Sequence, residues 1–292
     1  MKIDNSVFIL LEGLGVVDRQ SIEKIQSFVR DDSNISVYKC NKSGMIFLNT
    51  SSHIDLNYYN KKDPTHSYGT NKREMIKSNK DSLRRFSDFS DVIRNKKWID
   101  IGSGSGAMLD LFGPISKKYI GVEPQERARE SLKELGHDVR GLVKEIRNES
   151  FDVVTMFHVL EHIDNPLDTL NDIKKVMSPG SKLIIEVPHA EDFLLKLISS
   201  DSFKSHTFWS EHLVLHTRQT ITALLEYAGF NVVAVSGVQR YSLANTLYWL
   251  ANNKPNGHIE WDFLINNELD SSWESTLTKL NLTDTLVIEA LS

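Results

Sequence analysis

A short apolar run, Trp98-Ile99-Asp100-Ile101, ends in Gly102-Ser103-Gly104-Ser105-Gly106, and a helical pattern follows. No other feature of the chain narrows its fold so far. Glycine lets a chain turn sharply at a strand end and come close to a ligand without a Cβ clash. The helix start behind such a turn offers free backbone N–H groups. A strand, a glycine turn and a helix in that order place a ligand at the carboxyl edge of a parallel sheet.

The pattern continues along the chain. Apolar runs recur at 118–122, 151–156 and 182–187, with a short His137-Asp138-Val139 between the first two. Amphipathic stretches fill the gaps at 105–113, 125–136 and 166–177. A helix at 217–228, a strand at 231–236 and a last strand at 284–290 complete the series. Strand-helix alternation with right-handed crossovers predicts an α/β fold with a Rossmann-like, doubly wound, mostly parallel seven-stranded sheet. Two regions stand outside it. Residues 1–70 read as a small N-terminal cap, with strand-like pieces at 35–38 and 45–48 and an apolar strand or buried segment at Val7–Leu11. Residues 71–292 read as the ligand-binding domain, entered by a helix at 71–94. It carries a largely helical insertion, 241–282, before the last strand, placed to act as a lid or an oligomer surface.

Loop spacing separates ligand classes. A dinucleotide site calls for G-x-G-x-x-G, whereas the sequence here is G-x-G-x-G. No Lys-Ser or Lys-Thr pair follows, which disfavours a phosphate-cradling P-loop. Glu123 ends the next strand, 21 positions after Gly102, where a carboxylate can accept hydrogen bonds from both ribose hydroxyls. Together these features predict a nucleoside-bearing cofactor.

Composition excludes other classes. With 34 basic and 39 acidic residues the net charge is -5, so a nucleic-acid partner is not expected. The clusters Lys72-Arg73 and Arg84-Arg85 read as solvated helix faces. Cys40 is the single cysteine, so the fold needs no disulfide. Acidic residues flank the Val7–Leu11 run and no cleavage site follows it, unlike a signal peptide. No run is long enough for a membrane span, and a cytoplasmic protein is expected.

Asp100-Ile-Gly-Ser-Gly-Ser-Gly106 resembles the first motif of class I S-adenosylmethionine-dependent methyltransferases, and Glu123 matches their ribose-binding acid. Phe151–Ile163 is similar to their fourth strand and the turn beyond it. Ser178-Pro-Gly180 with Leu183–Pro188, and Leu224–Phe230, are similar to the turn into the fifth strand and to the late helix before the sixth. The resemblance covers about 90–290. It implies S-adenosylmethionine as cofactor and methyl transfer as the activity. Asp100, Gly102, Ser103, Gly104 and Gly106 would hold the methionine part and approach the ribose. Glu123 would hold the ribose, Pro124 and Gln125 would line the adenine, and Phe157 and His158 would flank the cofactor. The family's usual acid for the adenine amine is absent after the third strand, or displaced to Glu145.

A methyl acceptor with a hydroxyl needs a base, and histidine suits that task near neutral pH. His158, His162, His189, His206, His212 and His216 cluster near predicted strand ends. Ser210-Glu-His-Leu-Val-Leu-His-Thr217 resembles the Glu-His segment of sugar methyltransferases, including those acting on nucleotide-linked deoxysugars. That likeness implies His212 as base and Glu211 as its partner, with His162 and His189 as further candidates. Those enzymes carry an N-terminal zinc lobe; here Cys40-Asn-Lys-Ser-Gly-Met is similar to it, but Ser43 replaces the second cysteine and no metal is expected. Tyr58-Tyr59 and Tyr68 resemble tyrosines that follow the lobe. The expected acceptor is a small molecule, most readily a sugar or nucleotide sugar in glycan, polysaccharide or natural-product biosynthesis, with O- favoured over C-methylation.

Two alternatives stand beside it. Leu160-Glu161-His162 also resembles quinone-pathway O-methyltransferases, and a non-catalytic S-adenosylmethionine-binding subunit is the third reading. Asn165-Pro166 continues as Leu-Asp, unlike the motif of nucleic-acid amino methylases.

Overall fold

The computed structural model describes residues 3–54, 58 and 79–292. In chain order, α1 is Ser6–Gly13, β1 Ile22–Gln26, β2 Val37–Cys40, β3 Ile46–Leu48, α2 Lys80–Ile93 and β4 Lys97–Ile101. Then come α3 Ala107–Phe112, β5 Lys118–Val122, α4 Glu126–Glu134, β6 Val139–Arg140, β7 Phe151–Phe157, α5 Pro166–Lys175 and β8 Met177–Pro188. The remainder is α6 Phe193–Lys196, α7 Asp201–Thr207, β9 Val214–Leu215, α8 Arg218–Tyr227, β10 Asn231–Val238, α9 Leu243–Asn252, α10 Gly257–Glu260, α11 Asn267–Leu280 and β11 Thr285–Leu291.

Seven strands form the mostly parallel Rossmann-like sheet, in the order β10-β11-β8-β7-β4-β5-β6. The chain winds outward from β4 through β5 to β6, then returns to lay β7 on the other side of β4. That reversal opens a crevice at the carboxyl end of β4, where ligands bind in doubly wound sheets. The register sets Asp100 opposite Thr155 and Ile101 opposite both Met156 and Val122. β4 is buried from Trp98 to Ile101, as expected of a strand covered on both faces.

The chain divides into two compact units. One holds residues 53–185, 225–233 and 288–292. Its core includes Trp98 against Phe112, ring centroids 5.3 Å apart, with Ile99, Leu109 and Phe151 fully buried. Helix α2 starts where the Asn79 side chain accepts from Ser82 N–H at 2.7 Å, and α5 where Pro166 follows the Asn165 cap.

The other unit holds residues 1–52, 186–224 and 234–287. It contains a four-stranded antiparallel sheet, β1-β2-β3-β9, with Phe8 of α1 stacked on Phe47 of β3 at 4.4 Å. Cys40 is buried in it, 3.3 Å from Ser21 Oγ. Residues 243–280 of this unit carry α9, α10 and α11.

Several expectations need correction. Val7–Leu11 is helical, not a strand, with Val7, Phe8 and Leu11 buried and Ile9 exposed. The Asn5 side chain caps it by accepting from Phe8 N–H at 3.0 Å, and Val7, Phe8 and Leu11 fall on one face. Arg85 does not lie on a solvated face: its side chain is 11% exposed and bonds Asp81 at 3.1 Å. The third strand is Val139–Arg140, because His137 turns aside to bond the Tyr119 hydroxyl at 3.0 Å. β1 pairs antiparallel with β2, and β9 with β3, and neither edge strand shows in the sequence pattern. Tyr59, Tyr68, Lys72-Arg73 and the first part of the 71–94 helix lie outside the described residues. No described helix is long and apolar enough to cross a membrane.

Candidate functional site

The glycine loop is tied down at both ends. Gly102 and Ser103 N–H both donate to Val122 O, at 2.8 and 3.0 Å, and Ser103 Oγ donates to Asp100 O at 3.0 Å. Gly102, Gly104 and Gly106 all have left-handed φ, of 76°, 50° and 82°. At Gly102 a Cβ would also lie 2.3 Å from Val159, so both conformation and space require glycine.

Glu123 meets this loop directly. Its Oε2 accepts Gly104 N–H and its Oε1 accepts Gln125 N–H, each at 2.8 Å. Arg129 Nη1 fixes the turn beyond by donating to the Glu123 and Pro124 carbonyls at 2.8 and 3.0 Å. Burial pushes the Glu123 carboxyl above its usual range, and the N–H donors of Gln125 and Gly104 oppose it.

Asp100 is the second buried acid, pushed up to about 7 by burial, with Thr155, Arg85 and Ser103 opposing. Trp98 Nε1–H donates to Thr155 Oγ1 at 3.0 Å, and the Thr155 hydroxyl donates to Asp100 Oδ1 at 2.7 Å. The strand register produces this relay, since Trp98 and Asp100 share one face of β4 and Thr155 lies opposite Asp100. The Arg85 guanidinium lies 4.7 Å above the Phe157 ring, and Phe157 also stacks on Phe89 at 5.9 Å. Sequence reading missed Trp98, Thr155 and Arg85. The signal for Thr155 is a lone hydroxyl within the apolar stretch Val153–Phe157.

His158 follows Phe157 with φ 56° and brings Nδ1 to 3.2 Å from Glu161 Oε1. His162 Nε2 lies 3.8 Å from the same oxygen, and Glu161 is fully buried. The structure thus gathers His158, Glu161 and His162 just beyond β7.

The remaining candidates lie in the unit holding the antiparallel sheet. Trp209–His212 forms a tight turn, with His212 N–H donating to Trp209 O at 3.2 Å. The Trp209 and His212 rings meet edge to face at 5.2 Å, and Glu211 is buried between them in sequence. His189 is buried with Nδ1 2.9 Å from Thr283 O, and burial lowers its pKa to about 4. His216 pairs with it across a parallel bridge and is lowered to about 3, also by burial. A carbonyl partner makes Nδ1 of His189 the protonated nitrogen, and so low a pKa gives little pull on a proton near neutral pH.

The loop fits S-adenosylmethionine. A ligand with a ribose diol, an ammonium and a sulfonium supplies donors and positive charge to two buried carboxylates that burial alone disfavours. Glu123 would hold the ribose, and Asp100 with the glycine loop the methionine part.

A family described as a methyltransferase domain matches residues 72–235. The chain belongs to that family. Its structure resembles a SAM-dependent methyltransferase from Archaeoglobus fulgidus, at 23% identity and TM-score 0.50 over 75% of this chain and 94% of that one. Among curated relatives, putative methyltransferase 235L of Invertebrate iridescent virus 6 is 30% identical over 131 residues, 43% of this chain and 49% of the relative. The ubiquinone biosynthesis O-methyltransferase of Proteus mirabilis is 27% identical over 108 residues, 34% of this chain and 44% of the relative. The chain thus spans about half, or less, of the length of these two relatives.

The relay makes a testable prediction. Thr155→Val removes a hydrogen bond to the ionised form of Asp100, so the Asp100 pKa rises. If cation binding needs the carboxylate, affinity for S-adenosylmethionine increases as pH rises through about 7 in the wild type. In Thr155→Val the same rise occurs at higher pH, which calorimetric titrations from acid to alkaline pH would read. Two buried groups also lose their partner, at a stability cost of about 1–3 kcal/mol.

Proposed function

We propose that the methyl acceptor is a sugar hydroxyl, most readily on a nucleotide-linked sugar, with His212 as the base and Glu211 as its partner. S-adenosylmethionine supplies the electrophilic methyl on its sulfonium. His212 takes the hydroxyl proton, and the buried Glu211 carboxylate offsets the charge the imidazole gains. The observation that carries this reading is the Glu211–His212 turn itself, in which a half-buried histidine follows directly on a buried glutamate in sequence. His189 fits the role less well, because its burial opposes protonation. O-methylation is favoured over C-methylation because one base suffices for a hydroxyl. A net charge of -5 suits a small acceptor better than a polyanion. A cytoplasmic setting goes with this acceptor.

A phenolic, quinone-type acceptor is the second reading. The His158–Glu161–His162 group favours it, together with the similarity to the ubiquinone O-methyltransferase of Proteus mirabilis. Thermal unfolding against a panel of nucleotide sugars and phenols, with S-adenosylhomocysteine present, separates the two. A further stabilisation by a nucleotide sugar, followed by a mass gain of one methyl with S-adenosylmethionine, is the expected result. A response to phenols alone overturns the sugar assignment.

Self-association through 241–282 is part of the proposal. Phe263 is 74% and Ile259 62% exposed there. Sedimentation should show a dimer that Phe263→Glu dissociates; a wild-type monomer at micromolar concentration would remove this element.

A further inference from the structure

Residues 206–215 are tied to the N-terminal region at several points on either side of Glu211 and His212. Val29 and Asp32 exchange backbone hydrogen bonds at 3.2 and 3.4 Å, closing a tight turn with Arg30 and Asp31 at its tip. Arg30 N–H donates to Phe208 O at 3.1 Å and its Nη1 to His206 O at 2.8 Å. Its guanidinium lies 4.6 Å from the Trp209 ring centroid. Asp31 takes both donors of one residue: Oδ1 accepts Ser210 N–H at 2.8 Å and Oδ2 accepts Ser210 Oγ–H at 2.7 Å. Further on, Leu213 O accepts Leu48 N–H at 3.1 Å and the buried Asn5 Nδ2 at 3.0 Å. Val214 and Leu215 then join the sheet opposite Phe47 and Ile46.

Ser210 and Leu213 bracket Glu211 and His212, so both sides of that pair are held by residues from the first 48 positions. A region serving only as cover would need apolar contact alone. A carboxylate engaging the backbone and side chain of one residue fixes position and orientation, since charge-assisted bonds are short and directional. Arg30 adds a second restraint through Trp209, which itself packs against the His212 ring.

We propose that the N-terminal sheet region is a clamp that positions the Glu211–His212 turn, with Asp31 as the positioning residue and Arg30–Trp209 as its support. The proposal rests on the reading of His212 as base. It gives residues 3–52 a role in the reaction without a metal: the two-residue tip Arg30-Asp31 holds the base-bearing turn from outside the cofactor-binding loop. Asp31 touches no reacting atom in this scheme and acts through Ser210.

The test uses the full chain labelled with ¹⁵N and saturated with S-adenosylhomocysteine. Long-range ¹H–¹⁵N spectra over a pH series follow the His212 ring, assigned by its loss in His212→Gln. Asp31→Ala is expected to stay folded and to bind S-adenosylhomocysteine within about twofold of wild type, since the glycine loop is untouched. Its His212 ring signals should shift, with the titration midpoint displaced by ~0.3 pH units or more. On the acceptor methylated in the panel, kcat should fall about tenfold or more, with KM for S-adenosylmethionine unchanged. Asp31→Asn keeps an oxygen for Ser210 N–H and should recover most of the loss.

A role in stability alone would lower the unfolding temperature without moving the His212 titration or kcat, and that result overturns the clamp. Should Asp31→Ala fail to fold, Arg30→Gln and Ser210→Ala carry the same readouts; an unmoved His212 ring in both overturns the proposal. If His212→Ala retains turnover, the base assignment fails, while the response of the His212 ring to Asp31→Ala still decides the clamp.

Discussion

Gly104→Asp should abolish measurable binding of S-adenosylhomocysteine, with a loss of at least a hundredfold, or about 2.7 kcal/mol. The new carboxylate would stand at the residue whose N–H bonds Glu123, 2.8 Å from Oε2. Glu123 and Asp100 are already buried acids pushed upward by desolvation, and a third negative charge beside them raises that cost. Isothermal titration reads the effect directly. Gly104→Ala separates conformation from charge, because alanine at φ 50° meets a left-handed penalty of about 1–2 kcal/mol but adds no charge. A Gly104→Asp protein that binds as wild type would remove the loop from the cofactor site.

The ionisation of Asp100 has a consequence for stability. Its folded pKa of about 7 lies above the ordinary 3.8, so the folded state holds its proton over a pH range in which the unfolded chain has released it. Stability contributed by this group is therefore present at low pH and is lost as pH rises from about 4 to about 7. A bound cation favours the ionised form and reverses that loss. The apo protein should thus lose thermal stability from pH 5 to 8 through this group, and S-adenosylmethionine should stabilise most at the alkaline end. Asp100→Asn should flatten the apo trend.

The sheet could be read from the sequence because its central strands are buried on both faces, and largely apolar runs such as Phe151–Met156 carry a strong signal. The glycine loop and Glu123 could be read because backbone conformation and spacing fix residue type there. Val7–Leu11 misled because five apolar residues in a row show neither period; only Asn5, as a cap, favours the helix. β1 and β9 escaped because their signal lies in pairing partners: Val214 and Leu215 pair with β3, whose residues precede them by 167 to 169 positions (214 − 47 and 215 − 46). Arg85 was misjudged for a related reason. It follows another arginine, Arg84, and only the fold places it over Phe157. The Asp31–Ser210 contact joins positions 179 apart and leaves no local trace.

His212→Ala should remove turnover while sparing the cofactor. Loss of a general base costs about a hundred- to ten-thousandfold in rate, so single-turnover transfer of labelled methyl should fall by that factor. Affinity for S-adenosylhomocysteine should stay within about twofold, because the glycine loop and Glu123 do not depend on this ring. The pH profile adds a second signature. In the wild type the rate should rise as the imidazole loses its proton, and that limb should vanish in His212→Ala. Glu211→Gln keeps the shape but removes the charge that offsets an imidazolium, and should cost less than His212→Ala. His162→Ala and His189→Ala serve as comparisons within the same chain. His189 is held neutral by burial, with its Nδ1 facing the Thr283 carbonyl, so its removal should show mainly as lost stability. A normal rate in His212→Ala with a collapsed rate in His162→Ala would move the base to the turn beyond β7 and favour the phenolic acceptor.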